Sequence, residues 1–189
     1  MVTPNVLQYL NRIGYRNNVE LNFDCLSKLQ SCHQSSVPYE NLSCFLGVAK
    51  ILDVDILFRR IVLEKRGGWC HELNGLFAWL LREIGFHVTI VSSNHYDRKK
   101  NQFSDEPYSH IALIVELDNN QYLVDVGYGF PNQHFLPLQI ATEIEYTQVH
   151  RFKLFSQHFE LKCSKLIILL SLFRSVGITD FCTKRTMMP

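Results

Sequence analysis

The chain lacks an excess of charge of either sign, and it lacks a long apolar run. Its 189 residues carry 19 Lys and Arg against 18 Asp and Glu, which leaves a formal net charge of +1. So small an excess argues against a large nucleic-acid footprint and against electrostatic attachment to a membrane. The longest apolar run, Leu166 to Phe173, falls short of the roughly 18–20 residues that a membrane span needs. The N-terminus also lacks the features of a secretory signal. We therefore expect a cytoplasmic protein with no nucleic-acid and no membrane partner.

The cysteines lack the spacing of a disulfide scaffold or of a structural zinc site. The six cysteines are irregularly spaced, and no two of them form a C-x-x-C pair. Zinc sites built from cysteine usually show such pairs, and disulfide frameworks belong mostly to small secreted chains. We therefore expect reduced thiols and no metal site.

The first half of the chain has helical periodicity. The patterns predict a helix that ends at Gly14, a second capped by Asn22 or Asp24, and a third capped by Asp53. The clearest helix carries apolar residues at helical spacing from Leu73 to Ile84 and is followed by Gly85, a typical C-terminal cap. These segments predict a helical bundle in the N-terminal part of the protein.

After residue 85 the apolar residues alternate with a period of two. Alternation predicts one strand from Phe86 and two more at His110 to Leu117 and Tyr122 to Val126, with a polar surface loop at Asn94 to Pro107. The segment Asp118 to Asn120 predicts a hairpin turn between the last two strands. Helices followed by strands indicate an α+β fold with an antiparallel sheet or partial barrel.

Cys70 lies where a cysteine nucleophile is commonly placed. It follows Gly67 and Gly68 and opens the clearest helix, where free N–H groups and the helix dipole favour a thiolate. It also lies one turn before Leu73, on the inward-facing stripe. The alternative is that Cys70 is a small buried apolar residue at a helix start.

His110 and Asp125 are candidates for the base and the orienting acid that a thiolate nucleophile needs. A turn centred on Asn119 and Asn120 places them on one face of the hairpin but four residues apart along the strand, roughly 13 Å. Direct contact then requires a different register, an asymmetric loop or a bulge. The alternative for His110 is a solvated histidine at a strand edge.

Four segments in order resemble the arylamine N-acetyltransferases. These are VPYENL at Val37 to Leu42, RGGWCHELN at Arg66 to Asn74, SHIALIV at Ser109 to Val115 and YLVDVGYG at Tyr122 to Gly129. The resemblance implies a cysteine-protease-like core in which Cys70 is the acyl-accepting nucleophile, His110 the base and Asp125 the orienting acid. It also implies a ping-pong reaction of xenobiotic metabolism. Acetyl-CoA is the acetyl donor, and arylamines or hydrazines are the acceptors.

The resemblance also implies a division of the chain. It places a helical domain with the nucleophile at 1–85, a β-barrel-like domain with His110 and Asp125 at 86–163, and a divergent tail at 164–189, where the third α/β domain of the family is missing. The main alternative is accordingly a truncated, weakly active or inactive member that only binds ligands. A thiol hydrolase using the same three residues is a further alternative.

Other residues near the motifs have two interpretations each. Ser109 opens the segment SHIALIV, and Phe103 and Tyr108 precede it. We expect these three residues to line the substrate pocket, with ordinary loop packing as the alternative for the two aromatic residues. The basic residues at 98–100 either meet CoA phosphates or form a solvated loop. His71, beside Cys70, makes no metal site on its own, and Arg66 and Glu40 match structural positions of the family.

Overall fold

The structure is a computed structural model that describes residues 3–47, 51–97, 102–103, 110–128, 138–139, 153–155, 158–163 and 166–171. Its helices come first along the chain. They are α1 (Pro4–Arg12), α2 (Phe23–Ser36), α3 (Leu42–Phe45), α4 (Val54–Leu57), a π-helical segment (Phe58–Leu63) that continues α4, and α5 (Cys70–Ile84). None of the helices in the described ranges is long and apolar enough to cross a membrane.

The predicted helix caps are present in the structure. The Asn22 side chain accepts a hydrogen bond from the N–H of Cys25, and Asp53 accepts from the first turn of α4. Gly85 ends α5 with a φ of 114°, a left-handed conformation that favours glycine. These residues satisfy backbone groups that a helix end leaves open, which is why local sequence predicts them.

The strands form an antiparallel sheet, which confirms the predicted α+β class. They are β1 (His87–Asp97), β2 (Gln102–Phe103), β3 (His110–Leu117), β4 (Asn120–Val124), β5 (Leu138–Gln139), β6 (Lys153–Phe155), β7 (His158–Cys163) and β8 (Leu166–Ser171). The order across the sheet is β5-β4-β3-β1-β8-β7-β6, and β2 pairs with the far end of β1.

Two segments differ from the sequence predictions. The predicted loop at Asn94 to Pro107 is partly strand, because β1 continues to Asp97 and β2 pairs back onto it. The predicted tail contains β8, which pairs with both β1 and β7. The run that forms β8 is continuously apolar, so it has no two-residue alternation to reveal a strand. The remainder of that tail, 172–189, lies outside the described residues.

Helix α5 packs between the other helices and the sheet. Its buried face contributes Leu73, Leu76, Phe77, Ala78, Leu80 and Leu81 to a single apolar cluster. The same cluster contains Ile111, Leu113 and Val115 of β3 and Val124 at the end of β4. This packing holds the first turn of α5 against the start of β3 and the end of β4, where the predicted site residues lie.

Candidate active site

The two glycines before Cys70 allow a close backbone approach. Gly68 pairs with the segment around Tyr39: the Glu40 N–H donates to the Gly68 carbonyl at 2.9 Å, and the Gly68 N–H donates to the Pro38 carbonyl at 3.3 Å. A Cβ atom on Gly67 would lie 2.1 Å from the Pro38 oxygen, so no larger residue fits there. The first two signature segments thus form one structural unit that fixes the path into α5.

Two ion pairs brace the same unit. Arg66 binds Glu40 at 2.7 Å, and Arg60 of the π-helical segment binds Glu72 at 2.7 Å. The other oxygen of Glu72 accepts from the N–H of Trp69 at 3.2 Å, which caps α5. The structure therefore places Arg66 and Glu40 in the scaffold and holds Cys70 as the buried first residue of the helix.

The β3–β4 hairpin has a different register from the predicted one. Asp118 and Asn119 form the turn with φ values of 50° and 61°, and Leu117 lies opposite Asn120. When this register is continued past the end of β4, Asp125 lies diagonally across from His110, two residues away along the strand and on the same face of the hairpin. Diagonal neighbours in an antiparallel pair are within reach of long side chains. The large separation estimated from sequence is wrong because the turn sits one residue earlier.

His110 and Asp125 are in direct contact. The Nε2 atom of His110 lies 2.6 Å from Oδ2 of Asp125. The other oxygen of Asp125 accepts from the Gly127 N–H and from the Asn74 side chain, both at 2.8 Å. Three polar partners thus hold a carboxylate whose side chain is only 16% exposed, as a buried charge requires. The His110 ring also forms a hydrogen bond with the Cys70 side chain.

Asn74 joins the helix to the hairpin, and the sequence prediction did not assign it this role. Its Nδ2 also donates to the Ile111 carbonyl at 2.7 Å, and its Oδ1 accepts from the Val126 N–H at 2.9 Å. It is fully buried one helical turn after Cys70. The available signal was a polar amide on the apolar stripe of α5, because buried polar groups are usually hydrogen-bonded.

The carboxylate decides the charge of His110. Burial by itself lowers the pKa of His110, but the charge and hydrogen bond of Asp125, and then the hydrogen bond and charge of Cys70, raise the pKa to about 10. The ring is therefore protonated near neutral pH. An imidazolium beside a cysteine at a helix N-terminus favours the thiolate form of that cysteine.

The residues after Asp125 lie against Cys70 and His110. A Cβ atom on Gly127 would lie 2.7 Å from the Cα of Cys70 and 2.8 Å from Nδ2 of Asn74. Tyr128 packs edge-on against His110, with 5.7 Å between ring centroids. Gly127 of the last signature segment thus brings the backbone close to Cys70 itself.

The predicted substrate-binding residues are less fully placed. The backbone of Phe103 pairs with Tyr96 in the β1–β2 ladder, while Tyr108, Ser109 and the basic residues 98–100 lie outside the described residues. Across the described side chains, no group of three or more His, Cys, Asp or Glu residues is arranged to hold a metal ion. The described site thus consists of Cys70, His110 and Asp125 with the side chains and backbone that hold them.

Comparison with known proteins identifies the family. A family model described as N-acetyltransferase matches residues 22–166. The chain is 33% identical over 147 residues to the liver isozyme of arylamine N-acetyltransferase from Gallus gallus, covering 77% of this chain and 51% of the relative. It is 35% identical over 135 residues to arylamine N-acetyltransferase 1 from Bos taurus, and the match covers 71% of this chain and 46% of that relative. The chain belongs to the arylamine N-acetyltransferase family.

Solved structures of this family share the fold. The arylamine N-acetyltransferase of Salmonella typhimurium superposes with a TM-score of 0.81 at 24% identity, covering 96% of this chain and 68% of that one. The Mycobacterium marinum enzyme has a TM-score of 0.77 at 28% identity, covering 89% and 66%, and a structure of it in complex with CoA has a TM-score of 0.76 with the same coverage. The chain spans about half the length of the curated relatives it matches.

Proposed function

We propose that this chain is an acetyl-CoA-dependent N-acetyltransferase that acts on arylamines or hydrazines through a thioester on Cys70. The observation that carries the proposal is the 2.6 Å contact between His110 and Asp125, buried against the first turn of α5. Family membership supports the reaction class, and a relative crystallised with CoA supports acetyl-CoA as the donor substrate. A cytoplasmic role in the acetylation of small aromatic amines is part of the same proposal.

In this proposal the resting site is a thiolate–imidazolium pair. The proton of the Cys70 thiol passes to the Nδ1 atom of His110, and the Asp125 carboxylate holds the proton on Nε2 and balances the ring's positive charge. Because the pKa of His110 is raised to about 10, this form is populated near neutral pH. A thiolate is the reactive form of cysteine toward carbonyl carbon.

The first half-reaction transfers the acetyl group to the enzyme. The Cys70 sulfur attacks the thioester carbonyl of acetyl-CoA, a new C–S bond forms, and the bond to the CoA sulfur breaks. His110 gives its Nδ1 proton to the leaving CoA thiolate, so that free CoA departs as the thiol. His110 is then neutral beside the acetylated Cys70, ready to act as a base.

The second half-reaction transfers the acetyl group to the amine. The amine nitrogen attacks the thioester carbonyl, and neutral His110 accepts the proton that the nitrogen loses. The C–S bond breaks, which releases the amide and restores the thiolate–imidazolium pair. A thioester suits this step because it stays reactive toward a weakly nucleophilic aromatic amine.

The proposed domain division places this chemistry between two parts of the chain. The helical part, 1–85, supplies Cys70 at a helix start, and the sheet part, 86–163, supplies His110 and Asp125. Asn74 ties the two together through the Asp125 side chain and the Val126 N–H. The contacts between Asn74 and the end of β4 support the part of the proposal in which the helix and the sheet form a cysteine-protease-like core.

Acetylation of the enzyme tests the proposal. Incubation with acetyl-CoA alone should release CoA and add one acetyl group to the intact protein, and a simple aniline added afterwards should remove it. Cys70→Ala should abolish the label. Cys44→Ala, which removes a partly exposed thiol of the short helix α3, should retain it.

The outcomes separate the alternatives. An unlabelled wild-type protein that is still stabilised by CoA or an aniline would support a member that only binds ligands. A label that persists in Cys70→Ala would disprove the assignment of the nucleophile. Cleavage of a thioester or peptide without transfer to the amine, lost in Cys70→Ala, would identify a thiol hydrolase.

A further inference from the structure

A second imidazole contacts the Cys70 sulfur. The Nδ1 atom of His71 lies 3.2 Å from Sγ of Cys70, within hydrogen-bond distance for a sulfur partner. His71 is itself buried, with 5% of its surface exposed. His71 makes no metal site on its own, and it has no role in the reaction proposed above.

Stacking holds the His71 ring in place. Its ring lies 4.2 Å from that of Trp69 between centroids, with 25° between the two planes. The backbone N–H of Trp69 donates to the Glu72 side chain at 3.2 Å, which holds the backbone of Trp69 at the start of α5. Stacking against the indole restricts rotation of the His71 ring, and in this orientation its Nδ1 atom faces the sulfur.

The groups around the sulfur give the two histidines different tasks. His110 is engaged by Asp125 and becomes an imidazolium, whereas the carboxylate on α5, Glu72, is bound by Arg60. Tyr39, on the segment that crosses Gly68, has its pKa raised by burial first and then by Cys70, and Tyr128 packs on His110.

We propose that His71 is a positioning residue that donates a second hydrogen bond to the Cys70 thiolate. Neutral His71 with its proton on Nδ1 donates that proton to Sγ, while the thiol proton itself resides on His110, so no proton is gained or lost overall. The bond stabilises the thiolate and holds the sulfur between two imidazoles. The role rests on the proposed function, because it concerns the same nucleophile.

Alkylation of Cys70 by iodoacetamide across a pH series tests this role. The reagent reacts with thiolate and needs no acetyl-CoA, so the readout survives even if the chain transfers no acetyl group. Modification is followed on the Cys70 peptide by mass spectrometry, because the chain has five other cysteines. His71→Phe keeps a ring to stack on Trp69 and removes the donor, and His71→Asn keeps a donor near the Nδ1 position.

A hydrogen bond to the charged form of a group favours that form. We expect the pH midpoint of Cys70 alkylation to rise by about one unit in His71→Phe and to return toward the wild-type value in His71→Asn. Equal midpoints in the wild type and His71→Phe would overturn the proposal, as would a midpoint in His71→Asn as high as that in His71→Phe. If His71→Phe does not fold, His71→Leu takes its place against the same Asn variant.

Discussion

His110 and His33 are both buried, yet their protonation is driven in opposite directions. His110 is 3% exposed and has its pKa raised to about 10, whereas His33 of α2 is fully buried and has its pKa lowered to about 3. Burial lowers the pKa of both rings. Only His110 has a carboxylate partner that outweighs this effect.

The ring of His33 lies among aromatic side chains. Its ring packs against those of Tyr9 and Phe77, with 5.9 and 5.2 Å between centroids. Neither ring nitrogen has a hydrogen-bond partner among the described residues. Burial and, second, the positive charge of Arg12 lower the pKa of His33. His33 is therefore a structural residue of the helical core, whereas Asp125 charges His110 at the candidate active site.

Replacing the carboxylate should remove the contrast. In Asp125→Asn we expect acetyl transfer to fall by roughly a hundredfold or more. Oδ1 still accepts from Asn74 and Gly127, but the amide nitrogen then faces Nε2 of His110 as a donor and forces the wrong tautomer. The rate kcat/KM measures the loss. Asp118→Asn, in the exposed turn of the same hairpin, is the matched control and should keep full activity, whereas an equal loss there would implicate hairpin stability instead.

Replacing the structural imidazole should change stability toward acid pH. A histidine whose pKa is lower in the folded than in the unfolded state contributes stability above the unfolded value, near 6.5, and this contribution is lost as the pH falls toward about 3. We therefore expect wild-type stability to fall by roughly 2–3 kcal/mol between pH 7 and pH 4.5 on this account. His33→Phe should lose that part of the slope in urea unfolding, whereas His87→Phe, at an exposed site, should retain it.

A methyl group placed against Cys70 should disturb the candidate active site and leave the acid dependence due to His33 unchanged. Gly127→Ala introduces a methyl group 2.7 Å from the Cα of Cys70, which must displace the segment that carries Asp125. We expect roughly 1–3 kcal/mol of destabilisation and a loss of activity, with the acid slope from His33 unchanged. Gly75→Ala on α5 is the control, because the added Cβ would meet no atom of another part of the chain within 4 Å. This change should be neutral or stabilising by about 0.5–1 kcal/mol.

The smallest expected effect concerns the link between the two regions. Gln34, the neighbour of His33 on α2, donates from Nε2 to the Asp125 carbonyl at 2.9 Å. Gln34→Ala should cost about 1 kcal/mol of stability in thermal unfolding, with a modest loss of rate. Ser35→Ala removes an exposed hydroxyl beside it and should change neither, so equal effects would show that the link to Asp125 is unimportant.

Local features of the sequence predicted the helices and the position of Cys70 at the start of α5. The start of α5 at Cys70 and its end at Gly85 follow from glycines and from apolar spacing, which act within a few residues. The hairpin was also predictable, but its register was not. Asp118, Asn119 and Asn120 are all suited to a turn, and moving the turn by one residue shifts the strands by two, which decides whether His110 meets Asp125.

Contacts between distant segments were beyond the sequence patterns. Asn74 is a polar residue on an apolar helix face, and only the fold shows that it binds the end of β4. The contact between His71 and Cys70 was equally beyond the sequence patterns. Adjacent residues on a helix point in different directions, so the sequence does not show that their side chains meet. β8 was missed because a continuous apolar run fits several structures equally well.

An NMR titration of the imidazole rings tests the central claim most directly, because it reads His110 and His33 in one sample. Ring resonances are assigned with His33→Phe and with His110→Gln. We predict that His110 stays protonated through neutral pH and titrates near pH 10, and that His33 stays neutral down to about pH 3. A His110 that titrates near its ordinary value of about 6.5, or a His33 that does the same, would contradict the account.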